Sequence, residues 1–173
     1  MPDVIVPATS ARAKCRACGG AIEKGTLRFG EASPSPFGEG ETTHWFHLGC
    51  AALRRPERAG PVIETCGAEI DGRERLAAWV REGIDHPRLT RVARAERASS
   101  GRARCRHCHE VIDKDAWRIA LETWEDSRFS PIGFVHVGCA AAYCEVDDVA
   151  ARILDVSTSL AANETEDLRR ALD

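Results

Sequence analysis

No apolar run in this sequence approaches the roughly 18–20 residues that a membrane-crossing helix needs. Residues 1–12 lack the basic, apolar, small-residue order of a secretory signal. Both absences set the expectation of an intracellular protein: cytoplasm or nucleoid in a bacterium, nucleus in a eukaryote. Also missing are a glycine-rich phosphate loop, a nucleophile paired with a base, and the His-x-Glu with Pro-Cys-x2-Cys order of a nucleoside deaminase. The chain is therefore expected to be no enzyme. Lysine is scarce as well, with three lysines among the 24 basic residues.

What is present is a globular composition. The 173 residues are 43% hydrophobic and 29% charged, enough for one ordinary domain or two small ones. The formal charge of −3 hides an uneven distribution. From Arg88 to Arg106 seven arginines stand against Glu96 alone, whereas Glu145–Asp173 holds eight acids and three arginines. A local basic segment keeps nucleic acid open as a partner despite the overall charge. Part of the arginine excess, alongside abundant alanine, is equally readable as genomic base composition.

The chain repeats itself. Ala13-Lys14-Cys15-Arg16-Ala17-Cys18 aligns with Ala103-Arg104-Cys105-Arg106-His107-Cys108, and Ile22-Glu23-Lys24 with Ile112-Asp113-Lys114. Further along, Trp45-Phe46-His47-Leu48-Gly49-Cys50 aligns with Phe134-Val135-His136-Val137-Gly138-Cys139. Two copies of one unit follow, roughly 10–84 and 100–173. Each copy predicts a Cys-x2-Cys turn, a strand (26–30 or 116–121), a loop, a short strand carrying His, and a helical turn opened by the last Cys. Asp71 and Glu74 mark a helix start before Leu76, Trp79, Val80 and Gly83. Asn163 and Glu166 are a weaker counterpart. Residues 85–100 read as a basic linker or a helix. The domain plan is thus 1–84, 85–100 and 101–173. The fold class is α+β: two small modules in tandem, each a short antiparallel sheet with covering helices, stapled by its Cys and His residues.

Eight cysteines in such a protein indicate metal or redox chemistry before structural disulfides. Cys15, Cys18, His47 and Cys50, repeated as Cys105, Cys108, His136 and Cys139, form two three-sulfur, one-imidazole sets suited to tetrahedral Zn²⁺. All four positions are filled by protein, so no bound water is left to activate. Six thiolates and two dications would bring the formal charge to about −5, so attraction for phosphate has to come from local geometry. His44, His107 and His109 are not repeated and are read as lying outside the ligand sets. Cys66 and Cys144 are read as small apolar residues rather than redox switches.

Cys-x2-Cys, a gap of 27–28 residues and His-x2-Cys, with Ile22-Glu23-Lys24-Gly25-Thr26-Leu27-Arg28 and the Asp71-Gly72 helix start, resemble the zinc finger of poly(ADP-ribose) polymerases and a nick-sensing DNA ligase, the PARP-type finger. The resemblance covers nearly the whole chain, twice, and leaves no room within it for a catalytic domain. It implies a non-enzymatic protein that recognises nicks, gaps or ends by structure. It further implies phosphate contacts from Arg12, Lys14, Arg16 and Arg28 in the first copy, and from Arg102, Arg104, Arg106 and Arg118 in the second. Apolar loop residues would meet bases exposed at a break: Phe37 in the first copy, and Trp124, Phe129 or Ile132 in the second. Acids in the same loops (Glu31, Glu39, Glu41, Glu122, Glu125, Asp126) would repel phosphate unless they point away. The expected partners are broken DNA and a DNA repair enzyme. A second reading is a zinc-stapled adaptor that recruits that enzyme without binding DNA itself.

Overall fold

The computed structural model describes residues 2–35 and 38–173. The chain divides into two compact units, one running to Asp85 with Asp126–Arg128, the other comprising His86–Glu125 and Phe129–Asp173.

The first unit holds a three-stranded antiparallel sheet in the order β1 (Val4–Pro7), β2 (Leu27–Pro34), β3 (Glu41–His47). Alternation along β2 sends Phe29 and Glu31 to the core, while Arg28 and Gly30 share the other face with Trp45. Phe29 and Phe46 are fully buried partners in the ladder. Two helices pack on the sheet, α1 (Leu48–Arg54) and α2 (Pro56–Thr65), and α3 (Arg73–Asp85) packs on both of them. Pro56 starts α2, where its missing N–H is no loss. The Arg73 guanidinium then donates to the carbonyls of Ile63, Cys66 and Ala68, satisfying the open end of α2 and joining it to α3. On α3 the buried residues are Leu76, Val80 and Gly83, the spacing of one helix face. Trp79 lies half-exposed beside them.

The second unit repeats the sheet as β4 (Val92–Arg97), β5 (Trp117–Glu125) and β6 (Arg128–His136). Residues 85–100 are thus neither a linker nor one continuous helix: α3 ends at Asp85, and after a 3-10 turn over Pro87–Arg91 the segment supplies the edge strand β4. The register of the two sheets matches at an offset of 90, since Val6 pairs with Arg28 and Glu96 with Arg118. Asp126 and Ser127, both at positive φ (49° and 61°), form the two-residue turn between β5 and β6. After a 3-10 turn (Val137–Cys139) come α4 (Ala140–Cys144), α5 (Ala150–Val156) and α6 (Ala162–Leu172). Ser157 follows α5 and joins it to the sheet edge. Its hydroxyl accepts from the Ala95 N–H at 2.8 Å and donates to the Ile153 carbonyl at 2.6 Å. Trp117 Nε1 donates to Asp167 at 3.0 Å, which seats α6.

Candidate metal centres and nucleic-acid interface

Each metal centre starts from a tight turn. Cys15 N–H donates to Gly20 and Gly19 N–H to Cys15, with Gly19 at φ 72°. In the second unit Cys105 and Glu110 make the same bond, and His109 takes the left-handed position at φ 66°. The turns are tied to the sheets by Arg16 N–H to the Trp45 carbonyl (2.9 Å) and Arg106 N–H to the Phe134 carbonyl (2.8 Å). Cys15, Cys18, His47 and Cys50 thereby gather their ligand atoms within 4.8 Å of one another, as do Cys105, Cys108, His136 and Cys139.

The donor geometry fits a tetrahedral ion. His47 Nδ1 lies 3.4 Å from Cys18 Sγ and 3.9 Å from Cys50 Sγ; His136 Nδ1 lies at the same distances from Cys108 and Cys139. Zn–S and Zn–N bonds of about 2.3 and 2.0 Å at a tetrahedral angle place N and S about 3.5 Å apart. The far ring nitrogen faces a backbone carbonyl in both units: His47 Nε2 to Ala21 at 3.0 Å and His136 Nε2 to Val111 at 3.1 Å. That bond fixes Nδ1 as the unprotonated ligand atom. Backbone N–H groups also point at sulfur, from Gly20 to Cys18 and from His47 to Cys15, both at 3.4 Å.

The thiols press on one another electrostatically. Hydrogen bonds from Cys18 and Cys50 pull the Cys15 thiol far down, and those from Cys15 and Cys18 drive Cys50 far up. In the second unit burial opposes ionisation of Cys105, yet backbone donors from Cys108, His136 and His107 outweigh it and bring the thiol to about 6. Burial and the neighbouring Cys108 and Cys105 push Cys139 to about 12. Three adjacent thiolates are stable together only around a cation. Three sulfurs and one imidazole select Zn²⁺, and both centres are closed.

His44, His107 and His109 lie outside both ligand sets. His44 is buried, with Nδ1 3.3 Å from Arg16 Nε and Nε2 2.9 Å from Ser33 Oγ. Cys144 is buried, and desolvation pushes its thiol to about 11, as suits an inert core residue. Cys66 is half-buried, and its carbonyl is one of the three that Arg73 binds.

The basic residues occupy two kinds of position. Arg12, Lys14, Arg16, Arg102, Arg104 and Arg106 are exposed on the metal turns and their leading segments. Arg28 and Arg118 stand on the sheets, both 8% exposed. The Arg28 guanidinium lies 3.5 Å over the Trp45 ring and Arg118 3.5 Å over the Phe134 ring, equivalent stacks in the two copies. Arg28 is also the ladder partner of the metal ligand His47.

The loop residues fare differently. Phe37 lies outside the described residues. Trp124 and Phe129 flank the β5–β6 turn and pack edge-to-face on each other at 4.8 Å. Ile132 packs against the core of its unit. Glu31 does point away: it is buried on the core face and held by a fork from Arg55 at 2.8 and 2.7 Å. Glu122 is taken by Arg94 at 3.1 Å. Sequence reasoning missed Arg55, Glu31 as a core anchor, and Glu96. The alternation of β2 already separates residues 28 and 31 onto opposite faces.

Two sheets, each pinned to a closed Cys3His centre, define a tandem zinc-finger protein. Residues 7–86 match the family described as the poly(ADP-ribose) polymerase and DNA-ligase Zn-finger region. Residues 7–86 are thus a zinc finger of this PARP type, and the second half of the chain repeats the same Cys3His centre. It is 30% identical over 162 residues to a poly [ADP-ribose] polymerase of Sarcophaga peregrina, covering 82% of this chain and 16% of the relative. It is 28% identical over 150 residues to poly [ADP-ribose] polymerase 1 of Danio rerio (76% and 15%). To the polynucleotide 3'-phosphatase ZDP of Arabidopsis thaliana it is 27% identical over 166 residues (80% and 24%). The chain therefore spans less than a quarter of each of these relatives. Among the described residues no helix is long and apolar enough to cross a membrane.

Proposed function

We propose that this protein binds DNA at strand breaks through its two zinc fingers and performs no chemistry itself. PARP-type zinc fingers bind DNA breaks, and relatives of this chain are a poly(ADP-ribose) polymerase and a polynucleotide 3'-phosphatase. The observation that carries the reading is the repeated stack of a guanidinium on an aromatic ring beside a metal ligand, Arg28 on Trp45 and Arg118 on Phe134. A cation held flat at the sheet surface is prepaid in conformational entropy and suits a backbone phosphate.

In this reading Arg12, Lys14 and Arg16, with Arg102, Arg104 and Arg106, add phosphate contacts from the metal turns. Phe37, Trp124 and Phe129 form the apolar surface for bases that a nick or end exposes. Stacking on one base contributes about 1–3 kcal/mol, which favours a break over continuous duplex by tenfold or more. A nick is also easier to bend. The protein would act inside the cell, where a repair enzyme would be recruited.

A mobility-shift comparison of nicked and intact duplexes of equal length tests the reading. Tighter binding to the nicked duplex is expected, weakening by about 0.9 log unit per log unit of salt for each phosphate contact. Equal affinities would defeat break recognition. Retained binding of a repair enzyme with no DNA binding would favour the adaptor instead.

A further inference from the structure

The two stacked arginines differ in what else they touch. In the second unit Glu96, one strand over, accepts from Arg118 Nε and Nη2 at 3.1 and 2.6 Å. Its other oxygen accepts from Arg94 Nε at 3.0 Å, and Arg94 reaches Glu122 at 3.1 Å. Two arginines and two carboxylates thus share that sheet face and cancel. In the first unit the position of Glu96 is Val6, that of Arg94 is Val4, and that of Glu122 is Ala32. Among the described residues no carboxylate pairs with Arg28, and its buried Nε has no hydrogen-bond partner. A largely buried arginine whose Nε lacks any acceptor and whose charge faces no carboxylate is costly unless an anion arrives.

We infer that the fingers are unequal: Arg28 is the open phosphate grip of the protein, and Glu96 occupies the matching grip of the second finger as an internal competitor for phosphate. A phosphate approaching Arg118 must displace a carboxylate already bonded through two nitrogens, and meets Glu122 on the same face. A phosphate approaching Arg28 displaces nothing charged. The inference rests on the DNA-binding reading above and adds to it which finger holds the backbone and why.

The test uses the full zinc-loaded chain and one nicked duplex at several salt concentrations. Arg28→Ala should weaken binding about ten- to a hundredfold, the effect of one charge-assisted hydrogen-bonded contact, and lower the salt slope by about 0.9. Arg118→Ala should weaken binding at least fivefold less than Arg28→Ala does, because Glu96 already holds that guanidinium. Glu96→Val should raise affinity and steepen the salt slope by about 0.9, a gain that a merely structural carboxylate would not produce. Val6→Glu should reproduce the loss of Arg28→Ala, with zinc content and melting as the folding control. Equal losses from Arg28→Ala and Arg118→Ala overturn the inequality even if Val6→Glu fails to fold. Equal binding to nicked and intact duplex defeats break recognition alone, because the arginine comparison is then read on intact duplex. No binding of the wild-type chain to any duplex defeats both.

Discussion

Replacing Cys18 with alanine separates the contribution of the metal from that of the core. Cys18 is exposed, and among the described residues outside the ligand cluster its sulfur accepts only from Gly20 N–H, at 3.4 Å. The substitution therefore deletes a ligand and almost no packing. The large fully buried side chains of the first finger are few: Ile22, Phe29, Phe46 and Ile63. A core of this size supplies about 3–5 kcal/mol, whereas structural zinc contributes apparent binding of about 10–16 kcal/mol. Losing half of the metal contribution already exceeds what the core provides. The variant should bind one zinc ion per chain instead of two by elemental analysis, because the second centre is built from different residues. Hydrogen exchange followed by NMR should show the amides around Cys15 and Phe46 unprotected, with those around Cys105 and Val135 unchanged. A variant that holds one ion and keeps protection throughout the first finger would refute the claim that metal, not core, decides its fold.

Glu31→Ala should destabilise the zinc-loaded protein by about 3–5 kcal/mol in urea melts, since it leaves the Arg55 guanidinium without its buried carboxylate; a loss under 1 kcal/mol would show that water replaces it. Ser157→Ala strands the buried Ala95 N–H and should cost about 1–3 kcal/mol, read from the same melts and accompanied by faster exchange at Ala95. His44 gives a pH dependence: burial, then the Arg16 charge, holds its folded pKa below 6.5, with Glu31 opposing. The unfolded chain then takes up the proton first, so stability is complete above about pH 6.5 and falls as pH drops below it, by at most about 1.4 kcal/mol per pH unit. His44→Gln should flatten that slope between pH 7.5 and 5.5, and an unchanged slope would place its origin elsewhere.

The metal centres were legible in the sequence because ligand spacing is a local property and the repeat supplies it twice. Helix α3 was legible as well, since Leu76, Val80 and Gly83 keep one face. Strand β4 was not, for a geometric reason. A register shift between Val92 and Arg94 puts the buried residues Val92 and Ala95 three apart, which imitates a helix and erases the alternation of a strand. Helix α2 carries Gly60 and an internal Pro61, both of which argue against helix in a linear reading. The pairing of Glu96 with Arg118 depends on strand register, which 21 intervening residues conceal. Glu31 looked like an obstacle to phosphate only while the face of β2 on which it stands was unassigned.

The face that carries Arg28 also constrains how the two halves can change. A methyl group at Gly30 would come within 2.7 Å of the Trp45 ring and 2.8 Å of the Thr43 methyl, so the indole lies flat only because residue 30 has no side chain. At the corresponding places the other half has Ala120 and the smaller Phe134. Each couple is thus matched in volume, glycine with the indole and alanine with the phenyl ring. Gly30→Ala alone should crowd the indole and destabilise the first finger in urea melts, whereas Gly30→Ala together with Trp45→Phe should restore most of the loss.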